Sequence, residues 1–325
     1  MTKKSNLKGS LILCTAALLW GVAFAVQEDA ANLVPPFTFN CLRSIVGAVF
    51  LFSFMGVKSI KDKDYAPVPK TMNKKTLLVG SILCGIALAV STNFQQFGIA
   101  AYEPGVPTSA RSGFITALYV IIVPIISLFA KKKVHIMIWI SAIVAVIGLY
   151  TMCLVSGLYI ADILVLICAL TFSLHIMVID KYCGVVGGIR LSAFQFVFAA
   201  IISGLLALIF EFKAFGYIDL GLDVPDITLS NLKSAIPHIL YMGVVSSGIA
   251  YTLQIVGQKF AEPAIASISM SLESVFAAIS GYVMGVLFPA IEIKTLSSNE
   301  IIGCALVFAA IILAQTPEFF KKKKV

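Results

Sequence analysis

Three ionisable residues, Arg43, Arg111 and Glu273, lie inside long apolar stretches of the sequence. Near the middle of a membrane helix each costs at least about 2.5–3.5 kcal/mol, so each needs a partner, a water-filled cavity or a function. The planar fork of an arginine suits a substrate carboxylate or phosphate. Glu273 could exchange a proton, because removal from water penalises its charged form. Alternatively, the arginines extend to the membrane surface and Glu273 is a structural partner for an Arg or a Ser.

Neutral polar side chains recur at helical spacing in the same stretches. One stripe, with steps of three or four residues, consists of Ser109, Ser112, Thr116 and Tyr119, and a second consists of Ser247, Tyr251 and Gln254. Such groups can simply bond neighbouring helices, at about 0.6 kcal/mol each. Taken together they predict a polar cavity. The candidate substrate-binding residues are Trp20, Arg43, Asn93, Gln95, Arg111, Thr116, Tyr119, Tyr251 and Gln254.

The histidines form no catalytic or metal-binding pattern. None of His135, His175 and His238 has a carboxylate three or four residues later, and the chain lacks the nucleotide-binding sequence GxxxxGK[ST]. We therefore expect neither an enzyme nor an ATP-driven pump, and no metal or cofactor. Glu273 and His175 are the candidates for proton coupling, although a lone His in an apolar helix is more often a packing residue.

Membrane helices must position these residues. The chain has 325 residues, of which 59% are hydrophobic and only 12% charged, against about 25% charged in soluble domains. Continuous apolar runs of about 20 residues predict helices that cross a bilayer core of about 30 Å, and they lack the alternation of barrel strands. We predict an all-α polytopic membrane protein with ten transmembrane helices, at about residues 9–27, 38–57, 76–97, 107–130, 134–154, 160–179, 191–211, 236–257, 264–287 and 300–316.

The positive charges mark one side of the membrane. With the N-terminus inside, the inward connections carry nineteen Lys and Arg, and the outward loops carry only three, Lys213, Lys233 and Lys294. This bias predicts that both termini are cytoplasmic. The basic residues behind the net charge of +8 thus mark the cytoplasmic side and contact the lipid bilayer. We expect no nucleic-acid partner.

A ten-residue motif occurs twice and indicates that the chain consists of two repeats. Residues 95–104 read QQFGIAAYEP and residues 254–263 read QIVGQKFAEP, and a second match aligns residues 10–21 with 162–173. The first pair ends the third and eighth predicted helices, so the two copies enter the membrane in opposite directions. Such inverted repeats are typical of secondary transporters. We predict two five-helix repeats, residues 1–155 and 156–325, with Gln95 and Gln254 facing one cavity and each Glu-Pro pair ending a helix.

Several of these stretches resemble a known family. SGFITALYVIIVPIISLFAKKK at 112–133 and SLESVFAAISGYVMG at 271–285 are similar to helix-four and helix-nine signatures of EamA-type proteins of the drug/metabolite transporter superfamily. The resemblance implies two inverted five-helix halves, with a central cavity formed by helices one to four and six to nine. Two features depart from the family pattern. Leu272-Glu273-Ser274 lacks the usual helix-bending Pro, and the run of three Lys at 131–133 replaces an acidic residue.

These observations predict a secondary transporter of a small metabolite that works by alternating access. The resemblance implies an amino acid or related compound, commonly moved outward. The arginines favour a substrate with an anionic group, and proton coupling would involve Glu273. We expect a multi-pass protein of a bacterial plasma membrane, as a monomer or homodimer. A channel-like facilitator is the alternative, followed by an integral-membrane enzyme.

Overall fold

The computed structural model describes residues 6–61, 73–103, 106, 108–153, 159–212, 225–287 and 298–321, and within them it contains helices and no strands. The helices satisfy their backbone groups internally, as lipid requires. They are α1 (Asn6–Ala31), α2 (Pro36–Lys61), α3 (Lys74–Ala100), α4 (Thr108–Thr116), α5 (Tyr119–Phe129), α6 (Ile136–Cys153), α7 (Ile160–Tyr182), α8 (Gly188–Phe210), α9 (Leu229–Leu240), a π-helical segment (Tyr241–Ala250), α10 (Tyr251–Phe260), α11 (Pro263–Met270), α12 (Leu272–Leu287) and α13 (Ser298–Lys321).

Eight of the predicted spans correspond to helices long and apolar enough to cross a membrane. They are α1, α2, α3, α4 with α5, α7, α8, α9 through α10, and α11 with α12. The apolar parts of α6 and α13 are shorter, Ile136–Gly148 and Ile301–Ala314. The prediction of an all-helical polytopic membrane protein is confirmed, whereas the count of ten spans stays a prediction that depends on α6 and α13.

Much of the predicted charge asymmetry lies outside the described residues. This holds for Lys3 and Lys4, for the lysines within 62–72 and 322–325, and for the outward Lys213 and Lys294. Pro104 of the first Glu-Pro pair also lies outside them. The orientation of the termini therefore stays a prediction.

Helix packing pairs the two halves in a corresponding way. The helix α2 packs on α8 and α6 packs on α13, while α3 packs on α7 as α10 packs on α1. The two aligned repeats relate Gly98 to Gly257 and Val165 to Leu13. A Cβ on Gly98 would lie 2.6 Å from Val165 Cγ2, and one on Gly257 would lie 2.7 Å from Leu13 Cγ. Corresponding glycines thus provide corresponding close helix contacts.

Three predicted spans are interrupted. Ala117 and Leu118 separate α4 from α5, Ser271 separates α11 from α12, and a π-helical segment separates α9 from α10. The break at Ser271 occurs without the family's proline. The hydroxyl of Ser271 donates to the Ile268 carbonyl at 2.7 Å, and Ser274 donates to the Ser271 carbonyl at 2.7 Å. Serine hydroxyls thus satisfy the carbonyls at this break.

The second Glu-Pro pair begins a helix, which corrects the prediction that it ends one. The helix α10 ends at Phe260, Glu262 is the N-cap of α11 and Pro263 is its first residue. Proline suits that position because its missing N–H would have no helical partner there.

Candidate functional site

A central cavity lies where the interrupted helices meet α1, α2, α3 and α7. Its volume is about 30 Å³, which is room for water but not for a metabolite. Its lining consists of Trp20, Ala23, Phe24, Gln27, Arg43, Gln95, Thr116, Tyr119, Phe172, Ile176, Ser246, Tyr251, Gln254, Met270 and Glu273. The helices α6, α8 and α13 contribute none of these residues, so the expected contribution of the seventh predicted span is missing from the lining.

Most of the predicted site residues meet in this cavity. Trp20, Arg43, Gln95, Thr116, Tyr119, Tyr251 and Gln254 line it, together with the coupling candidate Glu273. The interruptions explain why: Thr116 and Tyr119 flank the break between α4 and α5, and Met270 and Glu273 flank Ser271. Irregular backbone at membrane depth is typical of places where it lines a cavity.

Arg111 does not line the cavity. Its Nε and Nη2 donate to the two oxygens of Asp162 at 2.7 and 2.6 Å, and its guanidinium lies 4.7 Å from the centre of the Tyr159 ring. Tyr102 donates to the same carboxylate at 2.7 Å. Burial, reinforced by this bond, raises the pKa of Tyr102, which keeps its hydroxyl proton. Of the two predicted substrate-facing arginines, Arg43 lines the cavity, whereas the guanidinium of Arg111 is bonded to Asp162.

Asn93 and His175 are buried beside the cavity but outside its lining. Asn93 accepts a 2.9 Å bond from Asn40 and donates a 2.9 Å bond to Ser203. His175 Nε2 lies 3.1 Å from Gln195 Oε1, and its ring centre is 6.0 Å from that of Tyr251. Asn93 therefore bonds α3 to α2 and α8, and His175 bonds α7 to α8.

Arg43 is buried, with 3% of its surface exposed, and its described partner is neutral. Its Nη1 donates to Oε1 of Gln27 at 3.3 Å. The backbone carbonyl of Gln27 accepts a 3.1 Å bond from Gln96, which holds the end of α1 against α3. A guanidinium with this single long bond keeps donors for an anionic group in the cavity.

Glu273 is the acidic member of the cavity and also has a neutral partner. It is 4% exposed, and its Oε1 accepts a 2.8 Å bond from the Tyr119 hydroxyl. Within the described part of the chain neither Arg43 nor Glu273 forms an ion pair. The cavity therefore contains one guanidinium and one carboxyl group that are not paired with each other.

An aromatic wall surrounds Tyr251. The ring of Trp20 lies edge-on at 4.8 Å between centres, and the ring of Phe172 is stacked at 6.4 Å. The ring of Phe196 lies edge-on to that of Tyr251, with 5.5 Å between their centres. Trp20 and Phe172 occupy equivalent positions in the aligned repeats, so each half contributes one ring to this wall.

The π-helical segment changes which serine faces the cavity. The stripe predicted at α-helical spacing contained Ser247, but Ser246 lines the cavity instead. The Tyr251 N–H bonds to the Ser246 carbonyl, five residues back, so Ser246 comes to lie on the face of Tyr251 and Gln254. Ser247 instead faces Gly47 of α2. The error arose because the wider π turn shifts the helical phase.

The repeat-related glutamines both line the cavity, but their bonding differs. Gln95 Nε2 donates to the Thr116 hydroxyl at 3.2 Å. Gln254 is 1% exposed, and its Oε1 is buried without a hydrogen-bond partner. Gln95 thus fixes the end of α4, whereas Gln254 keeps an acceptor in the cavity.

Sequence reasoning missed Gln27, which is the neutral partner of Arg43. Its signal was its spacing: Ala23, Phe24 and Gln27 lie three, four and seven residues after Trp20 and share its helix face. Ser246 and Met270 were hidden by the π turn and by the break before Ser271. Among the described residues no group of His, Cys, Asp and Glu is placed to hold a metal ion.

Comparisons with known proteins agree with this architecture. The sequence profile of the EamA-like transporter family matches the chain twice, over residues 7–154 and 159–316. An uncharacterized transporter of Archaeoglobus fulgidus is 27% identical over 309 residues, which cover 95% of this chain and 86% of the relative. A protein solved by crystallography superposes with a TM-score of 0.70 and 16% identity, over 99% of this chain and 100% of its own. At that identity the likeness concerns the fold alone.

Proposed function

The chain belongs to the EamA-like transporter family and is a membrane transporter. On that premise we propose that it is a secondary carrier of an amino acid or a related small metabolite. The observation that carries the proposal is that Arg43 and Glu273 line one buried cavity without pairing with each other. A substrate with separated carboxylate and ammonium groups complements the Arg43 guanidinium and the Glu273 carboxyl group. Its binding would offset the cost of keeping them away from water.

The carrier works by alternating access of two inverted five-helix halves, residues 1–155 and 156–325. The cavity holds little more than water in the described conformation, so a metabolite requires the halves to separate at one end. The helix α1 is bonded to the second half of the chain near its first turns and again beyond its middle. Ser10 accepts a 2.8 Å bond from Ser269 near the first turns of α1, and the Gly21 carbonyl accepts a 3.0 Å bond from Ser280 further along. Each half of the transport cycle would break one of these two hydrogen bonds and keep the other.

We place both termini in the cytoplasm of a bacterial plasma membrane, and the excess of Lys and Arg in the inward connections supports this orientation. The direction of transport that we propose is export, as the family resemblance implies. Labelling with a membrane-impermeant maleimide tests the orientation, using single cysteines at Lys133 and Leu229 in a protein freed of its seven native cysteines. Leu229 should react in intact cells and Lys133 only after permeabilisation. The reverse pattern would overturn the orientation.

Transport itself is tested with purified protein in proteoliposomes. The panel consists of amino acids, nucleobases and quaternary amines, assayed with and without a pH gradient. We expect uptake of one or more zwitterionic amino acids and weaker uptake after Arg43→Gln, because the guanidinium no longer attracts the carboxylate. The matched control is Arg190→Gln, since Arg190 lies at the start of α8 and lines no part of the cavity. Failure to transport any compound of the panel would refute the proposal.

A further inference from the structure

Two buried polar atoms of the cavity have no hydrogen-bond partner. They are Nε1 of Trp20, a donor, and Oε1 of Gln254, an acceptor. Trp20 is 9% exposed and Gln254 is 1% exposed, and both residues line the cavity. Buried polar atoms nearly always have partners, so an unpaired donor and acceptor in one cavity are available to a molecule that binds there.

The donor and the acceptor belong to two residues that adjoin Tyr251, one in space and one along the chain. Tyr251 contacts Trp20 edge-on at 4.8 Å, and Gln254 follows Tyr251 by three residues, about one turn further along α10. Tyr251 and Phe172 supply the apolar surface beside them. A ligand group in this position would find a donor, an acceptor and flat apolar walls together.

The other unpaired atoms do not share this setting. Within the described ranges several further buried side-chain atoms lack partners, among them Gln258 Oε1 and Ser81 Oγ, but none of their residues lines the cavity. Gln95, the repeat equivalent of Gln254, donates its amide to Thr116. The unpaired donor and acceptor are therefore confined to one wall, formed by Trp20, Tyr251 and Gln254.

We propose that this wall is a specificity-determining subsite for a neutral substrate group that both accepts and donates a hydrogen bond, namely a hydroxyl or a primary carboxamide. Trp20 donates to that group and Gln254 accepts from it. The inference rests on the proposed function, in which Arg43 and Glu273 engage the charged groups of the same substrate. An apolar group of equal shape leaves both atoms unpaired, and each unpaired atom lowers affinity about 5- to 150-fold.

The chain offers a direct reporter for this subsite because it has two tryptophans, Trp20 and Trp139. In the Trp139→Phe protein the remaining indole is the proposed donor itself. Titrations of its fluorescence would compare threonine with valine and asparagine with leucine, two pairs that match in shape and differ in hydrogen bonding. We expect saturable emission changes for threonine or asparagine, at concentrations at least about tenfold lower than for the apolar partner.

The acceptor is tested by Gln254→Met in the same background, which keeps the length of the side chain and removes its carbonyl. The preference within each pair should fall at least about fivefold, because only the Trp20 donor still distinguishes the two amino acids. Gln258→Met is the matched control: it removes the same group one turn further along α10, outside the cavity, and should keep the preference. Circular dichroism and size-exclusion chromatography would establish that both variants fold.

In the Trp139→Phe protein, whose cavity residues are unchanged, two results would overturn the inference. They are equal affinities within both pairs and the lack of a saturable change with any of the four amino acids. A preference that Gln254→Met leaves undiminished would overturn the role of Gln254. Binding with the expected preference but without transport in proteoliposomes would refute the carrier proposal and leave the subsite in place. Transport without the preference would refute the subsite and leave the carrier proposal in place.

Discussion

The hydroxyl of Tyr119 donates a 2.8 Å hydrogen bond to Glu273, and two helix interruptions bring these residues together. Tyr119 is the first residue of α5, directly after the break at Ala117 and Leu118, and Glu273 is the second residue of α12, after Ser271. The two residues come from different halves of the chain. Their bond therefore joins the halves across the cavity, and any motion that separates them there changes the surroundings of the carboxylate.

Replacing Glu273 by Gln should remove the pH dependence of transport. If the carboxylate gains and loses a proton during the cycle, the variant transports at a rate that no longer responds to a pH gradient. The measurement is initial uptake in proteoliposomes with equal and unequal pH on the two sides. Tyr119→Phe, which keeps the carboxylate and removes its partner, should retain the response. An unaltered pH response in Glu273→Gln would exclude that residue from coupling.

Replacing Gly21 by Ala should weaken the packing of α1 on α12. A Cβ at this position would overlap the Cβ of Phe276 and lie 2.7 Å from its carbonyl carbon, so backbone must move. We expect a loss of about 1–3 kcal/mol of stability, measured by thermal unfolding in detergent. Gly56→Ala is the control, because a Cβ there meets nothing within 4 Å. Equal unfolding temperatures for the two variants would contradict the close contact.

Replacing Arg111 by Gln should destabilise the protein without changing substrate selectivity. The change leaves the Asp162 carboxylate buried without its cation, which typically costs about 3–5 kcal/mol. Thermal unfolding and the substrate panel check the two parts of this prediction. Arg111→Lys should be intermediate, since an ammonium cannot make the bidentate contact. A change in selectivity with unaltered stability would place Arg111 in the substrate site instead.

Protein stability should depend on pH through Glu211, the C-cap residue of α8. Its carboxylate accepts bonds from the N–H groups of Phe37 and Thr38 at 2.6 and 2.7 Å, at the start of α2. Burial raises its pKa above the ordinary value of 4.5, although these bonds oppose the shift. The folded state therefore binds the proton more tightly than the unfolded chain does. This contribution to stability is complete below the ordinary pKa and is lost as the pH rises through the folded-state pKa.

The comparison protein for that prediction is Glu211→Gln, which carries no titrating group. The difference in unfolding temperature between wild type and variant should change across this pH window and stay constant outside it. Detergent-solubilised protein in a series of buffers gives the measurement. Parallel temperature curves for the two proteins would refute the role of Glu211.

The sequence predicted helical spans and the cavity residues because both depend on local pattern. Apolar runs of membrane length predict helices, and helical spacing placed Thr116 with Tyr119 and Tyr251 with Gln254. The repeated motif at 95–104 and 254–263 predicted that Gln95 and Gln254 face the same cavity, and both line it. These features need no knowledge of which helices are neighbours.

The remaining features depended on tertiary contacts and irregular backbone. Nothing in the spacing of Arg111 indicated that Asp162, 51 residues away, would occupy its guanidinium. The exchange of Ser247 for Ser246 follows from a π turn that apolar periodicity does not reveal. The break at Ser271 was unexpected because the family's proline is missing there, and serine hydroxyls take its place.

Counterflow in proteoliposomes tests the central claim, that this cavity is the binding site of a carrier, most directly. Vesicles loaded with an unlabelled substrate are diluted into a trace of the labelled compound. A carrier predicts a transient accumulation of label above the outside concentration, because each inward step follows an outward one, and Arg43→Gln should reduce that accumulation. A monotonic approach to equal concentrations, unaffected by internal substrate, would indicate a channel and contradict the account.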